Sequence, residues 1–377
     1  MGIALRWRVG MAFLIALVSI PGSLAVSAES DPAARPLPAG STGVTVVDFA
    51  AFKRSELFKN LAPLPDGEQM SVWGEEYGFE PFRSLDGITV IMGGGGRPGA
   101  ESWNGVVLSG TFAATTLAAK MKESAGDAST TERYREHTIH VVPSSPEADE
   151  ALKKRDRVLT RGICKVDMGV PHLSYVVFVG DHTLVGSQSK QGLVKMLDWF
   201  DRRGEALPPE QAAVLLPPQE NGAIFSVALT AEDPNWNGIV IVGEPTGKAA
   251  QQEDRFIDGL TSIAFTAGEA DRQSFVVGRV TCKNAEIAGH IKAVADGFGA
   301  LMALQNAQVG ADADTVEGRL MALFGKFPLQ VVKENATLKA SLRFPSDDVM
   351  ALFKLAGESN ARQAVPPGAQ QPVPRGN

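Results

Sequence analysis

The chain has 377 residues, of which 44% are hydrophobic and 21% charged, a composition typical of globular proteins. It is longer than one typical domain core requires. Its net charge of -7 indicates no basic surface, which argues against nucleic-acid binding, since such binding depends on clustered Lys and Arg. Two domains, or two fused halves, are therefore expected.

The first residues carry the features of a secretory signal peptide. Arg6 and Arg8 precede an apolar run at Ala12–Ile20, and small residues at 26–28 form a cleavage site. The apolar run is too short to span a bilayer comfortably, and no later segment is long and apolar enough to do so. The sequence therefore predicts export, to the periplasm or beyond, with no transmembrane segment after cleavage.

Composition divides the rest of the chain into two structured halves. Prolines and small residues mark a leader, two Pro-Pro pairs mark an internal linker, and a Pro- and Gln-rich run marks the tail. The predicted segments are a signal peptide at 1–28, a disordered leader at 29–43, a first half at 44–203, a linker at 204–221, a second half at 222–357 and a disordered tail at 358–377.

The first half is predicted to contain paired strands followed by helices. Two strands, at 85–93 and 104–112, flank a glycine-rich loop, and a helix follows them. Two further strands meet at Gly180-Asp181, a tight-turn sequence. The next helix has Ser189 as its predicted cap, with Leu193, Leu197 and Phe200 as its buried stripe.

The second half repeats this order, with strands from Ala223, Leu260 and Ser274 and then a long helix. That helix carries the firmest periodic signal in the chain, in which apolar residues step by four, three, four and three: Ile287, Ile291, Val294, Phe298 and Leu301. Hairpin-paired strands are antiparallel, because parallel strands would need a crossover between them. The predicted fold is α+β, with two tandem halves that a duplication would explain, each an antiparallel sheet with helices on one face.

The glycine run at 93–96 resembles a phosphate-binding loop only in composition. A phosphate cradle needs a helix N-terminus directly after the glycines, whereas a strand follows here and no Gly-Lys-Ser/Thr is present. We interpret it as a hairpin loop, in which Arg97 offers a weak anion contact.

The histidines form no pattern typical of a metal site. His137 and His140 are three apart in a predicted strand, which places them on opposite faces. His182 lies in a turn, His172 in a loop, and His290 beside the stripe of the long helix. Structural or solvated roles are predicted for all five, and no metal or cofactor site is predicted.

The serines, carboxylates and tryptophans also form no specific catalytic or binding motif. Ser187 and Ser189 fit a strand end and a helix cap, because no Gly-x-Ser-x-Gly surrounds them. Four carboxylates near the first hairpin could hold a cation or act as an acid/base pair, and are more often a solvated face: Glu75, Glu76, Glu80 and Asp86. Four tryptophans are candidates for a ligand surface, Trp199 being more typical of core: Trp73, Trp103, Trp199 and Trp236.

The two cysteines lie one in each half. Cys164 and Cys282 either form one bridge between the halves, which an oxidising compartment permits, or remain two buried thiols. Sequence does not supply the Cα separation that decides between them.

The strand pairs LDGITVIMGG at 85–94 and NGVVLSGTF at 104–112, with SYVVFVGDHTLVGS at 174–187 before a helix, resemble a group of secreted bacterial proteins of unknown function with tandem α+β repeats. The resemblance covers most of the mature chain. It implies a fold and an exported location, and it assigns no catalytic residue.

The sequence favours a non-enzymatic binding or interaction protein of the bacterial cell envelope, because no catalytic constellation is visible and the two halves repeat. Its partner would be an envelope protein, a polymer or a small apolar ligand. An envelope hydrolase with a site between the halves, built from the carboxylates near Glu80 and a histidine such as His182, is the alternative. A carrier of an apolar molecule between sheet and helices is a third hypothesis.

Overall fold

A computed structural model describes residues 36–61, 84–94, 101–111, 113–125, 129–142, 173–232, 259–308 and 316–363. The predicted signal peptide at 1–28 lies outside these ranges. In chain order, the strands are β1 Ser41–Asp48, β2 Leu85–Gly93, β3 Trp103–Gly110, β4 Thr130–Tyr134, β5 His137–Val141, β6 Tyr175–Val179, β7 Thr183–Ser187, β8 Ala223–Thr230, β9 Leu260–Ala270, β10 Gln273–Cys282, β11 Gln330–Glu334 and β12 Thr337–Pro345. The helices are α1 Phe49–Arg54, α2 Glu56–Leu61, α3 Ala114–Ala125, α4 Lys190–Phe200, α5 Pro209–Val214, α6 Ala285–Gln308, α7 Val316–Lys326 and α8 Ser346–Gln363.

All twelve described strands belong to one antiparallel sheet, in the order β11-β12-β10-β9-β8-β1-β2-β3-β7-β6-β5-β4. The α+β class and the antiparallel pairing are confirmed. The two sets of strands are not separate sheets, because β1 pairs with β8 and joins them. Each set nevertheless has one order: three consecutive strands, then a final strand that returns beside the third, β7 next to β3 and β12 next to β10.

Helices cover both faces of the sheet, so the prediction of helices on one face only was wrong. The front face is the one that α4 covers, where Leu193, Met196 and Leu197 pack on Ile91 and Val185. The back face is covered by α1 and α3 over one set of strands and by α6 over the other. Residues that alternate along a strand point to opposite faces, and both faces of these β-branched strands are apolar enough to bury.

Helix α4 forms where the sequence predicts it and buries the stripe expected of it. Ser189 caps its N-terminus by accepting a hydrogen bond from the Gly192 N–H at 3.0 Å, which confirms the predicted cap. Leu193 and Leu197 are fully buried, while Phe200 is partly buried against the same cluster.

The Pro-rich segment predicted as a linker is packed on the front face. Leu207 and Leu215 are buried, and the Thr266 hydroxyl donates to the Pro218 carbonyl at 2.6 Å. The Arg279 guanidinium of β10 donates to three carbonyls at the end of α5, at Ala213, Val214 and Leu216, over 2.8–3.0 Å. A cation at the partly negative end of a helix is favourable, so this contact holds the segment to the sheet.

The predicted disordered leader and tail differ from the structure at their inner ends. Leu37 is buried, the Trp199 indole N–H donates to the Pro36 carbonyl at 2.9 Å, and β1 begins at Ser41. The leader residues 37–39 pair with 205–207 on the front face. At the other end, α8 continues to Gln363, six residues into the predicted tail, and this helix contacts β10, β12 and α7.

Gly105 provides a test of the front-face packing. A Cβ built on Gly105 would collide with Met196 of α4, whereas one built on Gly278 of β10 would meet nothing closer than 3.7 Å. We expect Gly105→Ala to lower the free energy of unfolding by about 1–3 kcal/mol, since overpacking a tight core costs that much. Gly278→Ala, the control, should change it by less than about 0.5 kcal/mol.

Urea unfolding of both variants measures this difference. In a Met196→Ala background, Gly105→Ala should cost little, because the colliding side-chain atoms are gone. A Gly105→Ala protein that unfolds at the parent's urea concentration would contradict the packing described here.

Candidate functional site

A group of interacting charged residues lies where the β4–β5 turn meets the C-terminal end of α4. The turn follows Tyr134 and contains Arg135, whose φ of 53° lies in the left-handed region. The helix end supplies Asp198 and its C-cap, Asp201. The last carbonyls of a helix carry partial negative charge, so this end attracts cationic and hydrogen-bond-donating groups from the turn.

His137 and Asp201 form the centre of this cluster. The His137 Nε2 lies 3.0 and 3.2 Å from the two carboxylate oxygens of Asp201. Only 10% of the His137 side chain and 13% of the Asp201 side chain are exposed. The Nε2–H therefore donates to the carboxylate in a largely dry setting, where such a bond is stronger than at the surface.

Asp198 is held by the other side of the turn. It accepts hydrogen bonds from the Tyr134 hydroxyl at 3.0 Å and from Arg135 Nη1 at 2.7 Å. Burial, and then the hydrogen bond to the Asp198 carboxylate, raise the pKa of Tyr134, since both disfavour the phenolate.

Glu136 closes the cluster at its solvent side. Arg203, just beyond α4, approaches both carboxylate oxygens of Glu136, at 3.1 and 3.3 Å. The backbone N–H of Glu136, and then Arg203, hold the pKa of this carboxyl below its usual range. One ligand atom from each of Glu136, His137 and Asp201 lies within 4.8 Å of the others, which brings together an imidazole and two carboxylates.

The sequence missed this site because its parts are far apart along the chain. His137 and Asp201 are separated by 64 residues. The strand assignment itself was right: His137 shares the front-face side of β5 with Ile139 and Val141, whereas the His140 ring packs on Phe178 at the back. The two histidines therefore point to opposite faces, as predicted, and burial lowers the pKa of His140.

The remaining histidines and the serines have structural positions. The His182 ring Nδ1 lies 3.1 Å from the Gly110 carbonyl, and His290 is exposed on α6. The Ser187 hydroxyl is fully buried and donates to the Asn104 carbonyl at 2.6 Å. With Ser189 capping α4, the predicted roles of both serines are confirmed. His172 lies outside the described residues.

The acidic cluster and the tryptophans are described only in part. Asp86 pairs with Lys53 at 3.4 Å, and three members lie outside the described residues: Glu75, Glu76 and Glu80. Trp199 is core, as expected. Trp103 is also buried, under the Lys195 ammonium, so it offers no ligand surface. Trp73 and Trp236 are outside the described ranges.

The glycine run and the cysteines also lie only partly within the described residues. Gly94 has a φ of 75° and donates to the Gly40 carbonyl at 3.1 Å, consistent with a turn at the strand end. Cys282 is buried among back-face side chains, and burial raises the pKa of its thiol. Cys282 is a free cysteine in the structure, so the alternative of a bridge between the halves is not borne out there, and Cys164 lies outside the described residues.

Helix α6 presents the second notable surface. The predicted helix is confirmed, and Ile287 and Ile291 pack on the back face. Farther along the same stripe, Val294 is 68% exposed and Leu301 40% exposed, and Leu304 is 53% exposed nearby. The apolar spacing predicted the helix correctly but did not predict burial, because Ile287 and Ile291 pack on the sheet whereas Val294 and Leu301 are exposed.

Helix α6 is long and contacts both strands and a helix. Twenty-four residues make a helix about 36 Å long, and the strands that it contacts are β10, β12 and the edge strand β11. The helix also contacts α7. Its last twelve residues, 297–308, include no charged side chain.

No family model matches the chain, and no curated protein sequence matches it. Crystal form III of TP0453 matches with a TM-score of 0.41 and 7% identity, over 84% of this chain and 97% of that one. Form IV matches with a TM-score of 0.39 and 6% identity, over 85% and 97%, and form I with 0.39 and 9%, over 87% and 98%. Similarity at this level carries no argument about function.

Among the described residues, no helix combines the length and the apolar character that crossing a membrane requires.

The His137–Asp201 contact can be measured as a coupling free energy. A double-mutant cycle of His137→Ala and Asp201→Ala, followed by urea unfolding, should give about 1.5–3 kcal/mol, the range for a hydrogen bond to a charged group. The exposed pair Arg272–Asp347, at 3.2 Å, is the control and should couple by less than about 1 kcal/mol. Equal coupling in the two pairs would show that the cluster is an ordinary surface contact.

The environment of Tyr134 predicts an alkaline titration. Because its pKa is raised in the fold, its contribution to stability is complete below the unfolded value of about 10 and is lost as the pH rises through the folded value. Phenolate absorbance against pH should show one late phase that Tyr134→Phe removes and Asp198→Asn moves to lower pH. Asp347→Asn should leave it in place. An unmoved phase in Asp198→Asn would contradict the assigned hydrogen bond.

Proposed function

We propose that this protein is an exported, non-enzymatic binding protein of the bacterial cell envelope, and that the exposed side of α6 is its docking surface for another envelope protein. The predicted signal peptide supports export. The observation that carries the binding role is the exposure of Val294, Leu301 and Leu304 on one side of the far half of α6.

These three residues form a patch rather than scattered exposed side chains. At 100° per residue they fall within an arc of about 80°. Single exposed apolar residues are common on protein surfaces, whereas grouped ones mark interaction sites. The patch continues the stripe through which Ile287 and Ile291 already pack on the sheet, so it extends an existing apolar interface outward.

The chemistry of α6 indicates an apolar, uncharged partner surface. Docking over residues 297–308 would desolvate no charged side chain of this helix. Gly297 lies on the patch side of α6, where an added Cβ would meet nothing within 4 Å. A glycine inside a helix costs about 1 kcal/mol relative to alanine, and it allows a partner backbone to approach closely.

We also propose that the two strand sets arose by duplication. The support is their shared order, in which β1-β2-β3-β7 corresponds to β8-β9-β10-β12. A helix follows the third strand of each set on the back face, α3 in one and α6 in the other. The proposed docking helix therefore occupies the position of α3 but is twice as long, 24 residues against 12.

Site-specific photo-crosslinking in the producing cell tests the docking surface. A photoreactive residue at 294, 301 or 304 should give one adduct with a second protein, while residues 292 and 296, on the opposite side of α6, should give none. Lys292 and Asp296 pair at 2.7 Å, with 34% and 56% of their side chains exposed, so these control positions are accessible.

The adduct should also disappear in Leu304→Asp, which places a charge in the patch without altering the packed half of the helix. Adducts joining two copies of this chain, adducts with lipid alone, or equal yields at 292 and 296 would each overturn the proposed partner. Absence of any adduct at the three patch positions would do the same.

A further inference from the structure

We infer that Glu136, His137 and Asp201 form a binding site for one divalent transition metal ion of the zinc class, which would clip the β4–β5 hairpin to the end of α4. The inference is independent of the proposed docking surface. Within the described part of the chain, these residues are the one group in which three His, Cys, Asp or Glu ligand atoms come within 4.8 Å of one another.

The spacing of the His137 and Asp201 ligand atoms suits a metal, and Glu136 lies within 4.8 Å of both. With Zn–N and Zn–O distances of about 2.0 Å and a tetrahedral angle, neighbouring ligand atoms lie about 3.3 Å apart. The His137 Nε2 lies 3.0 and 3.2 Å from the Asp201 oxygens, close to that separation. Without metal the Nε2 hydrogen occupies this gap, so an ion bound to Nε2 would take its place while the neutral ring carries its one proton on Nδ1 instead.

The donor set selects the class of ion. One imidazole nitrogen and two carboxylates suit zinc and neighbouring transition metals, whereas calcium and magnesium prefer oxygen ligands alone. Glu136 lies at the solvent side, with its side chain 52% exposed, so water could complete the coordination. The partly negative C-terminal end of α4 also favours a cation here.

Two neighbouring arginines are positioned to compete with a metal ion for the carboxylates. Arg203 occupies both oxygens of Glu136, so a metal must displace its guanidinium. Arg135 is less of an obstacle, because Asp198 holds it at 2.7 Å. Removing Arg203 should therefore strengthen metal binding, a direction that a purely structural ion pair would not produce.

The rigid positions of two ligands make the site more than a surface coincidence. His137 opens β5 and shares a face with the fully buried Ile139, and Asp201 donates its backbone N–H to the Leu197 carbonyl at 2.8 Å. Both side chains are nearly buried, so little conformational entropy is lost on binding an ion. Tying the edge hairpin to α4 would stabilise the exposed end of the sheet.

Isothermal titration of zinc into the tag-free mature chain, beginning at residue 29, tests the site. We expect one zinc per chain and a higher Tm in its presence, since a ligand that binds only the folded state stabilises it. Glu136→Gln should weaken binding by about tenfold or more, as loss of a ligand costs at least what loss of an outer-shell contact does. Arg203→Gln should tighten it.

Glu132→Gln is the matched control, because Glu132 lies on the same hairpin and pairs with Lys190 outside the cluster. Its zinc affinity should equal the parent's. Glu136 is exposed, so Glu136→Gln remains informative even if His137→Ala or Asp201→Ala fails to fold. No heat of binding, affinity unchanged in Glu136→Gln, or an Arg203→Gln protein that binds no more tightly than the parent would overturn the site.

Discussion

The pairing of β1 with β8 is the interaction on which the rest of the structure depends. Val44 pairs with Ala228 and Val46 with Ser226, and the Thr230 hydroxyl donates to the Thr42 carbonyl at 3.2 Å. Without this ladder, each set of strands would expose an unpaired edge, which is an aggregation hazard. With it, one sheet runs from β11 to β4 and both of its faces can be covered.

The continuous sheet also gives the Pro-rich segment its place. Residues 204–221 cross the front face instead of spanning open solvent, and the three carbonyl contacts of Arg279 fix the segment to β10. Leu207 and Leu215 then complete the same core cluster as α4. A segment rich in proline loses little entropy when ordered, because its backbone is already restricted, so few contacts are needed to hold it.

The two surfaces of interest lie toward the two edges of the sheet. The His137 cluster holds the hairpin containing the edge strand β4, and α6 contacts the other edge strand, β11. Both arise from the limited reach of the sheet. At one edge, polar contacts hold the short β4–β5 hairpin to α4. At the other edge, α6 has more apolar surface than the strands beneath it cover.

The sequence by itself determined the local elements: the strand pairs, the cap at Ser189, the stripe of α4 and the existence of α6. These depend on neighbours in the chain, through alternation, helical spacing and capping chemistry. It could not show that β1 and β8 join the halves, because either strand could pair with several others of the same pattern.

Only the tertiary structure decided which apolar residues are covered and which polar ones meet. Val294 and Ile287 follow the same helical period, but Ile287 packs over strands and Val294 is exposed. His137 and Asp201 meet across 64 residues because the sheet order brings β5 beneath the end of α4. Local patterns carry no information about such long-range placement, which is fixed by the packing of the whole sheet.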